Sequence, residues 1–367
     1  MSSRLAIVGT GLIGTSVGLA AHRAGGWTIA GWDPDPAALS VAEERGAIDR
    51  AASSVEDAVG DAQLALVAAP VAHLGAQVAA VLDASPDECT VTDVGSTKQA
   101  VVDAAAGSPR FVGGHPMAGS EAEGPAHARA ELFEGATWFL TPSARTDADR
   151  YRALHGFVSA LGAIPVAVDA QSHDRLLALT SHLPHALANL LLNQVGANRV
   201  EGYEPLASAG GSLRDMTRIA GANPRIWLDI FLENADALRS ALAEHRRRVE
   251  QLEAALDAGD AGFLARWIGD AATLRRRLLT ASYAGEGEPH RLLVRIPDRP
   301  GIFAAVTQAL GAAAINIEDF AFRHDSPERG GMLTLVVTGA EHARRGAELL
   351  ESQGYSVDVA PLDEDAP

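Results

Sequence analysis

The stretch Gly113-Gly114-His115-Pro116-Met117-Ala118-Gly119-Ser120-Glu121 sets an imidazole in a glycine-rich loop directly after an apolar, strand-like segment. Neutral imidazole has an ordinary pKa close to working pH, so a histidine held there can take the proton of a reacting hydroxyl. A histidine in such a loop can equally be a structural hydrogen-bonder, and the residue alone does not decide between the two. A second pattern lies near the N-terminus. Gly9-Thr10-Gly11-Leu12-Ile13-Gly14 has the G-x-G-x-x-G spacing, follows an apolar strand (residues 5–8) and opens a helical stretch (13–24). In that context Gly9 permits a tight turn, Gly11 clears the approach of a pyrophosphate and Gly14 lets helix pack on strand. The backbone N–H groups of the helix start, around Leu12 and Ile13, then face the phosphates. Asp33 ends the next strand, where a carboxylate accepts ribose hydroxyls and repels a 2′-phosphate. Pro34, Asp35 and Pro36 follow it with no Arg or Lys, which predicts NAD rather than NADP.

These groups need a scaffold, and the hydrophobic pattern predicts three. Apolar strands at 5–8, 28–32, 64–69, 90–94, 111–113 and 137–140 alternate with helical sequence. That order implies a Rossmann-type α/β domain, a parallel sheet covered on both faces, over residues 1–168. Between 169 and 284 the strand signal vanishes, and leucines such as Leu176, Leu183, Leu187, Leu238 and Leu242 recur at helical spacing. An all-helical domain with long apolar stripes often spends one of them on a second subunit, so a homodimer is expected. The run AGEGEP (284–289) reads as a linker. Strands at 292–296, 315–323, 332–338 and 355–360 and helices at 301–313 and 341–353 then give the βαββαβ order of a ferredoxin-like unit over 289–362. The acidic run Asp363-Glu364-Asp365 reads as an unstructured tail.

Bulk chemistry narrows the partners. The 367 residues carry 30 basic against 47 acidic groups, a formal charge of −17, so nucleic acid and anionic membranes are disfavoured. An anionic small-molecule substrate therefore needs a local cation. The single cysteine, Cys89, forms no internal disulfide, which fits a reducing, cytoplasmic setting. The apolar stretch 5–21 has the look of a targeting segment, but its glycine spacing is better explained by the nucleotide turn. His182 and His185 have a metal-pair spacing without an obvious third ligand, so no metal is expected.

Four segments together resemble the prephenate/arogenate dehydrogenase family: GGHPMAGSE (113–121), DVGSTK (93–98), SHLPH (181–185) and GGSLRDMTRIAGANPRIWLDIFLEN (210–234). With the nucleotide turn, the resemblance they carry extends over nearly all of residues 4–280. The resemblance implies that His115 accepts the ring-hydroxyl proton as hydride leaves the same carbon for nicotinamide, with Ser96 hydrogen-bonding nearby. It implies that Arg218 holds a substrate carboxylate, that Glu121, Asp215 and Trp227 shape the pocket, and that His182 and His185 line the cleft. His173 and Asp174 fit the same pattern without an evident role. The implied reaction is NAD-dependent oxidative decarboxylation of prephenate to hydroxyphenylpyruvate in tyrosine biosynthesis. The alternative substrate is arogenate, giving tyrosine directly.

The segment Asp298-Arg299-Pro300-Gly301-Ile302-Phe303, followed by Ile315-Asn316-Ile317, resembles the ACT domain pattern. This implies an aromatic amino acid effector bound near Gly301 and Asn316; the alternative is a unit that only assists assembly. Two other functions compete: a β-hydroxyacid dehydrogenase, which also joins a nucleotide domain to a helical one, and a non-catalytic amino-acid-sensing regulator. The GGHPMAGSE and TRIA segments argue against the first. The presence of His115, Ser96 and Arg218 argues against the second.

Overall fold

The computed structural model describes residues 2–119, 122–282, 287–326 and 330–362. Glu121, the tail 363–365 and residues 284–286 of the expected linker lie outside the described residues. The chain forms two compact units, Met1–Arg247 and Arg248–Pro367.

The first unit is built on an eight-stranded sheet. Its strands are β1 (Ser3–Val8), β2 (Trp27–Trp32), β3 (Arg50–Ala51), β4 (Leu64–Val67), β5 (Thr90–Asp93), β6 (Phe111–Pro116), β7 (Thr137–Thr141) and β8 (Ile164–Ala167), in the order β3-β2-β1-β4-β5-β6-β7-β8. Pairing is parallel from β3 through β6. The alternation along each strand explains the layers. Leu5, Ile7, Ile29, Leu64 and Leu66 join one core with Val17, Leu154 and Phe157, while Ala6, Val8, Ala65, Val67 and Val91 join the other with Leu74, Val78 and Val81. Burying each Leu, Ile or Val is worth about 1.5–3 kcal/mol, so both helical layers are held firmly against the sheet. Cys89 belongs to the second core, and burial pushes its thiol up to about 11.

The expectation of a parallel sheet needs one correction: β7 runs antiparallel to β6. Among the described residues, the segment between them holds two short 3-10 turns, Pro125–His127 and Ala130–Phe133, and no crossover helix. Without a crossover the chain returns in the opposite direction.

Beyond the sheet the chain is helical, as its leucine spacing predicts: Ala170–Leu177, Leu183–Ala197, Gly211–Thr217, Pro224–Glu233 and Ala235–Ala258. A π-helical turn, Ala178–His182, joins the first two. Such turns often mark functional positions, because the extra residue redirects a side chain. Leu179, Leu190, Leu228 and Leu232 remain exposed on this unit.

In the second unit, the helix Ala261–Ser282 precedes a four-stranded antiparallel sheet. Its strands are β9 (Pro289–Ile296), β10 (Asp319–Ser326), β11 (Gly330–Thr338) and β12 (Ser356–Pro361), in the order β10-β11-β9-β12. The helices Ile302–Ala312 and Ala340–Ser352 complete the βαββαβ order. Their core combines Leu292, Val294, Val306, Leu310, Leu335 and Leu350. β10 starts at Asp319 rather than at residue 315; Ile315 turns into the core while the chain from 315 to 318 stays outside the ladder.

Candidate active site

The glycine turn does what its spacing demands. Gly9 has φ +102°, and a Cβ there would sit 2.4 Å from the Ala68 carbonyl oxygen. A Cβ on Gly14 would lie 1.9 Å from the Gly9 carbonyl oxygen, so the helix Leu12–Ala24 approaches β1 as only glycine permits. Gly11 differs: nothing lies within 4 Å of its Cβ position. It caps that helix with no side-chain hydrogen bond, and the first-turn N–H groups of Leu12 and Ile13 have no hydrogen-bond partner among the described residues. This is the cradle a pyrophosphate fits, with neither a Cβ nor a side chain in the way. Asp33 accepts a 2.6 Å hydrogen bond from the Thr10 N–H and a 2.9 Å bond from the Asp35 N–H. Each carboxylate oxygen keeps a lone pair for a ribose hydroxyl.

His115 lies at the carboxyl end of β6, the last strand of the parallel set and the edge where open α/β sheets bind ligands. Three strand spacings, about 14 Å, separate it from β1. Its side chain is 9% exposed, and its Nδ1 lies 2.9 Å from His173 Nε2. His173 in turn places Nδ1 2.8 Å from Asp174 Oδ1. Asp174 is pinned by two backbone donors, Lys98 N–H to Oδ1 and Gln99 N–H to Oδ2, both at 2.8 Å. Phe139, opposite His115 in the β6–β7 register, meets the His173 ring edge-on. Burial, then the neighbouring His173, Lys98 and His182, hold His115 well below the usual histidine range. It is therefore neutral near pH 7, the form that accepts a proton.

The loop after β5 is held just as tightly. Lys98 and Asp93 form an ion pair with both side chains fully buried. Asp93 also accepts N–H bonds from Gly95 at 2.8 Å and Gly114 at 3.0 Å. The last of these ties the loop to the residue preceding His115. Burial pulls the Lys98 pKa down, with Asp93 opposing it. Ser96 is half-buried on this loop, and its side chain makes no hydrogen bond among the described residues.

The π-helical turn brings His182 inward. It is 1% exposed, and burial lowers its pKa to about 4. Asn234 Nδ2 donates to the Asp174 carbonyl at 2.8 Å and to His182 Nδ1 at 3.0 Å. Because Nδ1 accepts, the neutral ring carries its proton on Nε2. Trp227 meets His182 edge-on and stacks on His185 with centroids 3.4 Å apart. His185 donates Nδ1–H to the Ser181 carbonyl at 3.0 Å, and its pKa is lowered by burial. Among the expected residues, contacts thus join His182, His185 and Trp227, and through Asn234, Asp174 and His173 they reach His115. Arg218 and Asp215 are exposed, and they form no ion pair with each other among the described residues. The Arg218 guanidinium is left available at the start of the 3-10 turn Arg218–Gly221. Asp93, Lys98 and Asn234 carry no expected role in the sequence, although DVGSTK spells the first two and the segment 210–234 ends on the third.

In the second unit, Gly301 takes φ +83° and caps the helix Ile302–Ala312. Asn316 is exposed and donates to Glu318 Oε1 at 2.9 Å. A hollow of about 290 Å³ in this unit is lined by Phe303, Thr307, Phe320, Phe322, Leu333 and Leu335. Among the described residues no group of His, Cys, Asp and Glu is arranged to hold a metal. Among the described residues, too, no helix is long and apolar enough to cross a membrane.

An unobstructed helix start at the carboxyl edge of a parallel sheet is where dinucleotide-linked oxidoreductases hold their coenzyme, and this fold and cleft define that class. Comparison with known proteins narrows it. Residues 17–166 match the prephenate dehydrogenase nucleotide-binding domain, 169–270 the prephenate dehydrogenase dimerization domain and 290–354 the ACT domain. The prephenate dehydrogenase of Bacillus subtilis is 31% identical over 361 residues, covering 96% of this chain and 97% of that protein. The chain belongs to the prephenate dehydrogenase family. The A. aeolicus prephenate dehydrogenase structure, in complex with hydroxyphenyl propionate and NAD+, superposes with a TM-score of 0.70 at 28% identity, covering 76% of this chain and 99% of that one. The Synechocystis arogenate dehydrogenase structure gives 0.68 at 26% identity, covering 75% and 99%.

Proposed function

We propose that the chain oxidises prephenate with NAD, releasing CO₂ and hydroxyphenylpyruvate in tyrosine biosynthesis. One observation carries the reading: a buried, neutral imidazole, His115, sits at the carboxyl edge of a sheet whose first helix starts in an open glycine cradle. Bound NAD supplies the hydride acceptor. Gly9, Gly11, Gly14 and the N–H groups at Leu12 and Ile13 hold its pyrophosphate, and Asp33 its ribose. The substrate hydroxyl gives its proton to His115, and Ser96, with an uncommitted hydroxyl, steadies the same oxygen. The hydrogen on the carbinol carbon departs with its electron pair. The C–C bond to the ring carboxylate breaks, its pair enters the ring and displaces the new carbonyl pair onto oxygen, and that oxygen takes the proton back from His115 as the ring becomes aromatic. No acid is needed at the departing carboxylate, and the aromaticity gained makes the step one-way.

Arg218 is the local cation that an acidic chain needs for a dianionic substrate, and a guanidinium fork suits a carboxylate. Trp227, His185 and Asp215 shape the remaining walls. We further propose that the functional division is 1–168 for the coenzyme, 169–284 for substrate and dimer, and 289–362 for an aromatic amino acid effector held near Gly301 and Asn316. The exposed Leu179, Leu190, Leu228 and Leu232 favour a homodimer. A cytoplasmic setting accords with the single, buried cysteine.

The test is reduced-nicotinamide absorbance with NAD and prephenate, and with NAD and arogenate. Turnover is expected with prephenate. A strong preference for arogenate would move the assignment to that substrate, and silence with both would overturn it.

A further inference from the structure

The hydrogen bonds behind His115 fix more than its place. Both oxygens of Asp174 face backbone N–H donors, from Lys98 and Gln99, so toward His173 the carboxylate is an acceptor. His173 Nδ1–H therefore donates to Asp174 Oδ1 at 2.8 Å. In a neutral ring one protonated nitrogen leaves the other bare, so His173 Nε2 accepts. Its partner at 2.9 Å is His115 Nδ1, which must carry the proton. The bare nitrogen of His115 is then Nε2. His173 is fully buried and Asp174 nearly so, and the Asn234 amide fastens the Asp174 carbonyl, so no step of the chain is open to competing solvent.

We propose that His173, oriented by Asp174, is a positioning residue that locks His115 into the Nδ1–H tautomer, leaving Nε2 as the atom that takes the substrate proton. When His115 accepts that proton, its Nδ1–H still points at the His173 lone pair, and no ring has to turn. This rests on the reading of His115 as the proton acceptor. The logic is that of a triad carboxylate and its histidine, with a second imidazole inserted between base and acid. In such a triad, mis-setting the tautomer alone costs about 10⁴-fold in kcat.

The experiment is 15N NMR of the full-length protein labelled at histidine, with NAD present and the His115 signals assigned by their loss in His115→Asn. In the wild type, His115 is expected as the Nδ1–H tautomer; finding its proton on Nε2 overturns the proposal without any further variant. His173→Ala should convert His115 to a mixture or to Nε2–H and lower kcat by about 10²–10⁴-fold, with NAD affinity kept. His173→Gln places an acceptor and a donor on one carbon and should recover at least about tenfold of that loss. A role for His173 in packing alone predicts equal losses for Ala and Gln and an unchanged His115 tautomer, and that result overturns the proposal. If His115→Asn keeps full turnover, the reading of His115 as the base fails instead, whatever the tautomer.

Discussion

Two glycines three residues apart should respond to the same substitution in opposite ways. In Gly14→Ala the new methyl lies 1.9 Å from the Gly9 carbonyl oxygen and 3.1 Å from Ile7 Cγ2. The first obstacle is backbone, which cannot rotate aside, so the helix Leu12–Ala24 must withdraw by about 1 Å from a close-packed interface. Forced overpacking costs about 1–3 kcal/mol, and a backbone obstacle belongs at the upper end. For a unit of this size that lowers the melting temperature by roughly 6–12 °C. In Gly11→Ala the methyl meets nothing within 4 Å, and φ is already −70°, a value alanine adopts freely. Stability should hold or rise by about 0.4–1 kcal/mol, because alanine narrows the unfolded ensemble.

Binding should run the other way. If the pyrophosphate lies against this turn as proposed, the Gly11 methyl obstructs it, and NAD affinity should fall at least tenfold, about 1.4 kcal/mol, in a protein that is otherwise intact. Thermal unfolding by circular dichroism and NAD titration by calorimetry separate the two effects. If Gly11→Ala binds NAD like the wild type, the coenzyme does not lie against this turn. If Gly14→Ala melts at the wild-type temperature, the close approach of helix and strand is not what the glycine serves.

Lys98→Met removes one member of a fully buried ion pair and should cost about 3–5 kcal/mol in urea unfolding, most of it regained when Asp93→Asn is added; equal losses in the single and double variants would refute the charge argument. His182 is held neutral in the fold, at a pKa of about 4, so the unfolded chain takes up its proton first as pH falls below the ordinary histidine value. Its contribution is full above about pH 6.5, falls by about 1.4 kcal/mol per pH unit down to about pH 4 and is flat below, a loss of roughly 3 kcal/mol that His182→Gln should flatten in urea midpoints measured against pH. Arg218→Ala should raise KM for prephenate at least tenfold while leaving NAD affinity alone, and an unchanged KM in steady-state assays would take Arg218 out of the site.

What could be read from the sequence divides along a physical line. The glycine cradle is local: Gly9, Gly11 and Gly14 act within a single turn, and the apolar run of β1 announces the strand before them. The parallel strands β1 and β4 were legible because both faces are buried over 5–8 and 64–67, which demands near-continuous apolar runs. β8 was not, since Ile164 is 55% and Val166 38% exposed and the segment lacks the composition of a covered strand. β3 offers two exposed residues and no pattern at all. The site behaves in the same way. His115 stood out by its glycine neighbours, and Arg218 by a motif resemblance, but His173, Asp174 and Asn234 acquire their roles from bonds that cross 58, 76 and 60 residues of chain. No spacing rule reaches that far. His173 and Asp174 are adjacent in sequence yet face different partners, one the His115 imidazole at the end of β6 and the other the backbone of the loop after β5. A carboxylate satisfied by two backbone donors is a rigid anchor, and a rigid anchor is what a tautomer needs to be held. The fold thus converts a sequence-adjacent His-Asp pair, unremarkable in isolation, into the buried group that faces Nδ1 of His115 and, on the mechanism proposed above, leaves Nε2 for the substrate.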